Sequence, residues 1–145
     1  MRKLWIVLAV ILISVNANAD ILSVAHKYIG KGEGDKEYRL FLGGREGLPW
    51  CAGFVSYVLR EAGYKYKYTL RAKECLSFGS IVKRPKPGDI IYFYRSHVGI
   101  VESLVGDKLT TIEGNTGDHP RKVRRKVYRL SDMKKLATFV RLERR

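Results

Sequence analysis

The apolar positions of this chain recur first with a helical period and then with a strand period. Ile21-Leu22, Val24-Ala25 and Tyr28-Ile29 are spaced by three and four, which predicts an N-terminal amphipathic helix. Gly30, Gly32 and Gly34 end it, and a polar, glycine-rich loop is expected through Gly43-Gly44 and Gly47 to Pro49. A second helical pattern starts at or beside Cys51. Phe54-Val55, Val58-Leu59 and Ala62 form its apolar stripe, and Gly63 supplies the stop. A short helical turn is expected around Arg71–Phe78, and Pro85-Lys86-Pro87-Gly88-Asp89 then marks a turn. Ile90–Tyr94 has the composition of a short buried strand. From His97 to Val101 the pattern alternates, with His97, Gly99 and Val101 on one face and Val98 and Ile100 on the other. Gly106-Asp107 marks a hairpin turn into a returning strand, Lys108–Glu113. Further strands are expected around Val123–Tyr128 and Thr138–Leu142. Helices first and antiparallel strands after make an α+β fold, with the Cys51 helix packed on a curved sheet.

That layout gathers a particular chemistry. Cys51 falls where an extended, proline-containing segment turns into a helix. There the free N–H groups and the positive end of the helix dipole stabilise a thiolate. The hairpin sets His97 and Glu113 on adjacent strands, and the two-residue period puts Asn115 on the face of Glu113. A thiol, an imidazole and a carboxylate in that relation are the parts of a cysteine hydrolase. Two roles are open to Cys51. It is a nucleophile, or it is half of a disulfide with Cys75, the second of the two cysteines in the chain. Taken alone, Cys75 has the pattern of a half-buried small apolar residue.

The N-terminus carries a different pattern. Arg2 and Lys3, the apolar run Leu4–Val15 and Ala17-Asn18-Ala19 form a secretory signal peptide, residues 1–19, with cleavage expected between Ala19 and Asp20. The run is shorter than the ~20 residues that span a bilayer, which counts against a membrane anchor. Removing it leaves residues 20–145 as one domain, exported to the periplasm or the medium. The formal charge is +14, and losing Arg2 and Lys3 leaves about +12 by the same count. So basic a chain implies an anionic partner or surface, which for an exported protein points to phosphate-rich envelope polymers or lipids; the alternative is a charge that only keeps the chain soluble. No nucleic-acid-binding motif is found.

Four blocks together carry a family likeness: Pro49-Trp50-Cys51-Ala52-Gly53-Phe54-Val55, Lys86-Pro87-Gly88-Asp89-Ile90-Ile91-Tyr92-Phe93, Ser96-His97-Val98-Gly99-Ile100-Val101 and Ile112-Glu113-Gly114-Asn115. In that order and spacing they resemble the CHAP family, cysteine, histidine-dependent amidohydrolases/peptidases of papain-like fold. The resemblance implies a peptidoglycan hydrolase, either an N-acetylmuramoyl-L-alanine amidase or a cross-link endopeptidase, working as a monomer on peptidoglycan. It implies Cys51 as nucleophile and His97 as general base and acid. Glu113 would orient the imidazole, and Asn115 would be the fourth, supporting residue. Another cysteine peptidase or transpeptidase on this scaffold, or a cationic wall-binding module with a Cys51–Cys75 disulfide, are the alternatives. Some members bind calcium through an Asp-rich loop before the cysteine. Lys31–Glu37 lacks that alternation of acids, so no metal and no cofactor are expected.

The remaining candidates have plainer roles. His26 in the first helix and His119 in a loop are expected at the surface. Trp50 lines the cleft or belongs to the core. The run Arg121–Lys126 is the solvent face of an edge strand, protected by its charge, or a guide for anionic polymer.

Overall fold

The computed structural model describes Lys3, Trp5, Ile6, Ala9 and residues 17–143. The expected signal peptide lies largely outside these residues. Helix α1 spans Ala17–Lys27 and so runs across the expected cleavage point. Among the described residues no helix is long and apolar enough to cross a membrane.

Helix α2 spans Cys51–Glu61, and every residue from Cys51 to Leu59 is buried. Its stop is the one its glycine predicts. Gly63 has φ +90°, its N–H donates to the Arg60 carbonyl at 3.0 Å, and Tyr64 N–H donates to Leu59 at 2.9 Å, closing the last turn. Helix α3 is a single turn, Leu130–Met133.

The strands are β1 (Gly79–Val82), β2 (Ile90–Phe93), β3 (His97–Val105), β4 (Lys108–Thr116), β5 (Lys122–Arg129) and β6 (Ala137–Leu142). They form one antiparallel sheet in the order β1-β6-β2-β3-β4-β5. Alternation along the strands divides the core in two. Ile90, Val98, Ile100, Ile112, Val123 and Val140 pack with the helices. Ile91, Phe93, Val101, Leu109 and Phe139 pack on the other face with Met133 and Ala137. The Pro85–Asp89 turn is locked by the buried Asp89, whose carboxylate accepts from the Lys86 N–H at 2.7 Å and from Arg141 Nη2 at 2.9 Å. The motif therefore pins β6 beside β2.

Three elements depart from the expected pattern. The glycine-rich loop contains a 3₁₀ turn, Lys36–Phe41, whose Phe41 is fully buried. Phe41 stacks on Trp50 at 5.4 Å and meets Phe54 edge-on, so one aromatic residue in a polar stretch roots the loop in the core. Gly53 makes this approach feasible, since a Cβ there would sit 1.8 Å from the Phe41 carbonyl oxygen. Strand β1 follows the expected Arg71–Phe78 turn, which is 3₁₀ over Ala72–Phe78, and α3 follows β5; neither has enough residues to show a period.

Candidate active site

Cys51 is the first residue of α2 and is 3 % exposed. Burial pushes its thiol upward. The His97 side chain bonded to it, with the N–H groups of Val98 and Ala52, outweighs burial and holds it below its ordinary value. Two of these donors arrive together because His97 and Val98 open β3. Ser96, at φ +67°, closes the β2–β3 hairpin with its N–H on the Phe93 carbonyl at 3.0 Å, and so sets the direction in which His97 leaves the turn.

His97 Nε2 lies 2.7 Å from Glu113 Oε1, which leaves Nδ1 for the thiol. Burial would pull the imidazole down, but its bonds to Cys51 and Glu113 raise it to about 9. Glu113 is fully buried. Burial raises its carboxyl, yet His97, then Thr111 and Tyr128, bring it below the usual value. Its second oxygen is held at 2.5 Å by the Thr111 hydroxyl and at 2.8 Å by the Tyr128 hydroxyl. Charge separation between thiolate and imidazolium is thus favoured by contacts on both sides of the ring.

Gly99 makes room for this line. The β3–β4 register pairs Ile100 with Ile112, so Gly99 faces Glu113, and a Cβ on Gly99 would come 2.6 Å from Glu113 Cγ. The Glu113 methylene stem occupies the space a side chain would take.

The structure therefore brings Cys51, His97 and Glu113 together. It treats Asn115 differently from the expected alternation. The β4–β5 register shifts between Glu113 and Thr116, and Asn115 sits at φ +54°, a conformation asparagine tolerates. The bulge breaks the two-residue period, and no side-chain hydrogen bond of Asn115 is found among the described residues. Thr111 and Tyr128 are the partners that sequence patterning missed. Thr111 was accessible, because it shares the strand face of Glu113 by the same period. Tyr128 depends on the pairing of β4 with β5 and on a side chain leaning along the sheet.

The other candidates resolve simply. Cys75 is fully buried rather than half-buried, and both cysteines are free. Burial, with Cys51 nearby, pushes its thiol up to about 12. Trp50 belongs to the core, at 1 % exposure. His26 pairs with Glu102 at 2.8 Å and His119 with Glu33 at 2.9 Å, both at the surface. Among the described residues no group of three or more His, Cys, Asp or Glu is placed to hold a metal ion. In the Lys31–Glu37 loop, Asp35 instead accepts from Lys122 Nζ at 2.8 Å, which ties that loop to the start of β5. Strand β5 lies at the sheet edge, with Arg124 and Arg125 exposed.

Known structures share this fold. Two solved structures of Ly7917 superpose on the chain. The first has a TM-score of 0.55 and 20 % identity over 85 % of this chain and 61 % of the other. The second, "with the hydrolyzing product of MDP", has a TM-score of 0.56 and 18 % identity over 85 % and 62 %. The chain thus spans about three fifths of the length of these structures. A search of curated proteins returns no match. A family model, the CHAP domain, matches residues 43–115, the segment that carries Cys51, His97, Glu113 and Asn115. The chain belongs to the CHAP domain family.

Proposed function

We propose that this protein is a peptidoglycan hydrolase that opens amide bonds through a Cys51 thioester. The observation that carries the proposal is the line Cys51–His97–Glu113 at the start of α2, with the thiol held low and the imidazole held high. The family match supports it, as does the MDP product bound to Ly7917, MDP being a muramyl dipeptide.

The Cys51 thiolate attacks the amide carbonyl carbon, and the carbonyl π electrons move to oxygen. That oxyanion forms beside the N-terminus of α2, where the Cys51 N–H has no helical acceptor and points toward developing charge. His97, protonated on Nδ1, gives that proton to the leaving amine as the C–N bond breaks. The neutral imidazole then takes a proton from water, whose oxygen attacks the thioester. Collapse releases the carboxylic acid and restores the thiolate–imidazolium pair. Glu113 keeps the ring in one tautomer throughout and stays ionised. In this scheme Asn115 shapes the bulge that follows Glu113. The protein acts outside the cytoplasm, as the leader pattern predicts, and its basic surface favours anionic wall material.

The test is digestion of purified peptidoglycan from several wall types under mild reduction, with the soluble fragments read by mass spectrometry. New fragments that vanish in Cys51→Ala are expected, and their masses identify the bond as sugar–peptide amide or peptide cross-link. No new fragments from the parent chain on any wall type would end the proposal.

A further inference from the structure

Glu113 is a fully buried carboxylate with two oxygens, and only Oε1 faces His97. A buried glutamate with three side-chain torsions points at the imidazole only if something holds its other oxygen. Two hydroxyls do so from different places. Thr111 stands two residues before Glu113 on the same strand. Tyr128 reaches from edge strand β5. Tyr128 is itself held: its ring packs 5.5 Å from Phe93, and Arg95, in the hairpin loop that precedes His97, acts on its hydroxyl electrostatically. Arg95 also lies over Phe93, 5.3 Å from the ring centroid. The hairpin that delivers His97 and the strand that aims Glu113 are thereby cross-linked through one phenol.

We infer that Tyr128, together with Thr111, is a positioning residue of the active site: the two hydroxyls fix the Glu113 carboxylate in the one orientation that engages His97, and Phe93 packs against the Tyr128 ring. The inference deepens the hydrolase proposal and rests on its assignment of His97. The charged and titratable groups around the imidazole are Cys51 from α2, Glu113 from β4, and Tyr128 and Arg95 behind Glu113.

Position and electrostatics predict opposite signs. If Tyr128 only shared the negative charge of Glu113, its loss would leave a stronger acceptor in place, and the imidazole would hold its proton more tightly. If Tyr128 orients Glu113, its loss lets the carboxylate turn away, and the imidazole releases its proton at lower pH. The experiment is an NMR titration of the His97 ring in the Cys51→Ala protein, with and without Tyr128→Phe, Thr111→Val and Thr111→Ser. A lower midpoint is expected for Tyr128→Phe and Thr111→Val, and an unmoved one for Thr111→Ser, which keeps the hydroxyl. An unmoved or raised midpoint in Tyr128→Phe overturns the inference. If Tyr128→Phe does not fold, Thr111→Val, which leaves β5 intact, decides by the same criterion. In the active protein, Tyr128→Phe should lower kcat by roughly 10- to 100-fold with KM held, as expected for a misplaced catalytic group. The titration needs no turnover, so a parent that cleaves no wall material would defeat the hydrolase proposal while the His97 midpoint still decided the role of Tyr128.

Discussion

The start of α2 and the 3₁₀ turn Ala72–Phe78 each take a cysteine out of solvent, and they give it opposite chemistry. Cys51 at 3 % exposure and Cys75 at zero are almost equally buried. Burial alone raises both thiols, because a thiolate loses hydration. At Cys75 nothing opposes this, and the group rises to about 12, helped by its proximity to Cys51. At Cys51 an imidazole and two backbone N–H groups reverse the sign. The difference teaches that a helix start is only part of what holds a buried thiol below its ordinary value. The rest is the adjoining strand, which brings a cationic side chain and an N–H from successive residues.

The largest effect that would break this comparison is catalytic. Cys51→Ala should reduce wall hydrolysis by about 10⁴- to 10⁶-fold, the scale of losing a covalent nucleophile. Cys75→Ala should leave the rate unchanged and cost roughly 1 kcal/mol of stability, measured by denaturant unfolding. A comparable loss of activity in both variants would show that the two thiols work together. Alkylation by iodoacetamide at pH 7, followed by peptide mapping, reads the contrast without substrate. Cys51 should react faster by at least about 10³-fold, since a thiol near 12 is almost wholly protonated there.

Next in size, Glu113→Gln should lower kcat by about 10²- to 10⁴-fold, as when the partner that orients a catalytic imidazole is lost. The pH profile sharpens the same point. The proposed mechanism needs a protonated His97, whose value is raised to about 9, so the rate should fall as pH rises through that value. Because the bond to Glu113 contributes to the raised value, the alkaline limb should move to lower pH in Glu113→Gln. An unmoved limb would show that Cys51 alone holds the proton on His97. The smallest effect concerns Gly99→Ala. Its Cβ would lie 2.6 Å from Glu113 Cγ, so the carboxylate must shift, and about a tenfold loss in kcat with KM retained is expected.

Much of the fold was legible because its elements are punctuated. Cys51 opens α2 and Gly63 ends it, and Gly106-Asp107 turns the β3–β4 hairpin where the pattern changes. What escaped notice is placement that depends on a distant partner. Phe41 is a core residue only because α2 has Gly53 opposite it. β6 lies between β1 and β2 because Arg141 meets the buried Asp89 and because Phe139 and Val140 have faces to fill. The site divides in the same way. Cys51, His97 and Glu113 follow from helix start, strand and hairpin, whereas the period of two fails at Asn115, where a bulge adds a residue.

By itself, the sequence determined helices α1 and α2 and strands β2 to β6, that a thiol stands at a helix start, and that an imidazole and a carboxylate occupy neighbouring strands. Periodicity, turn chemistry and chain order are local properties, and they suffice for that much. Only the tertiary structure decided which thiol is held below its ordinary value, which hydroxyls bond Glu113, and that Trp50 belongs to the core. Those outcomes depend on which groups meet in a space closed to water, where a single hydrogen bond or a missing Cβ sets the sign of a charge's stability. Contacts of that kind are fixed by the register and packing of strands far apart in the chain.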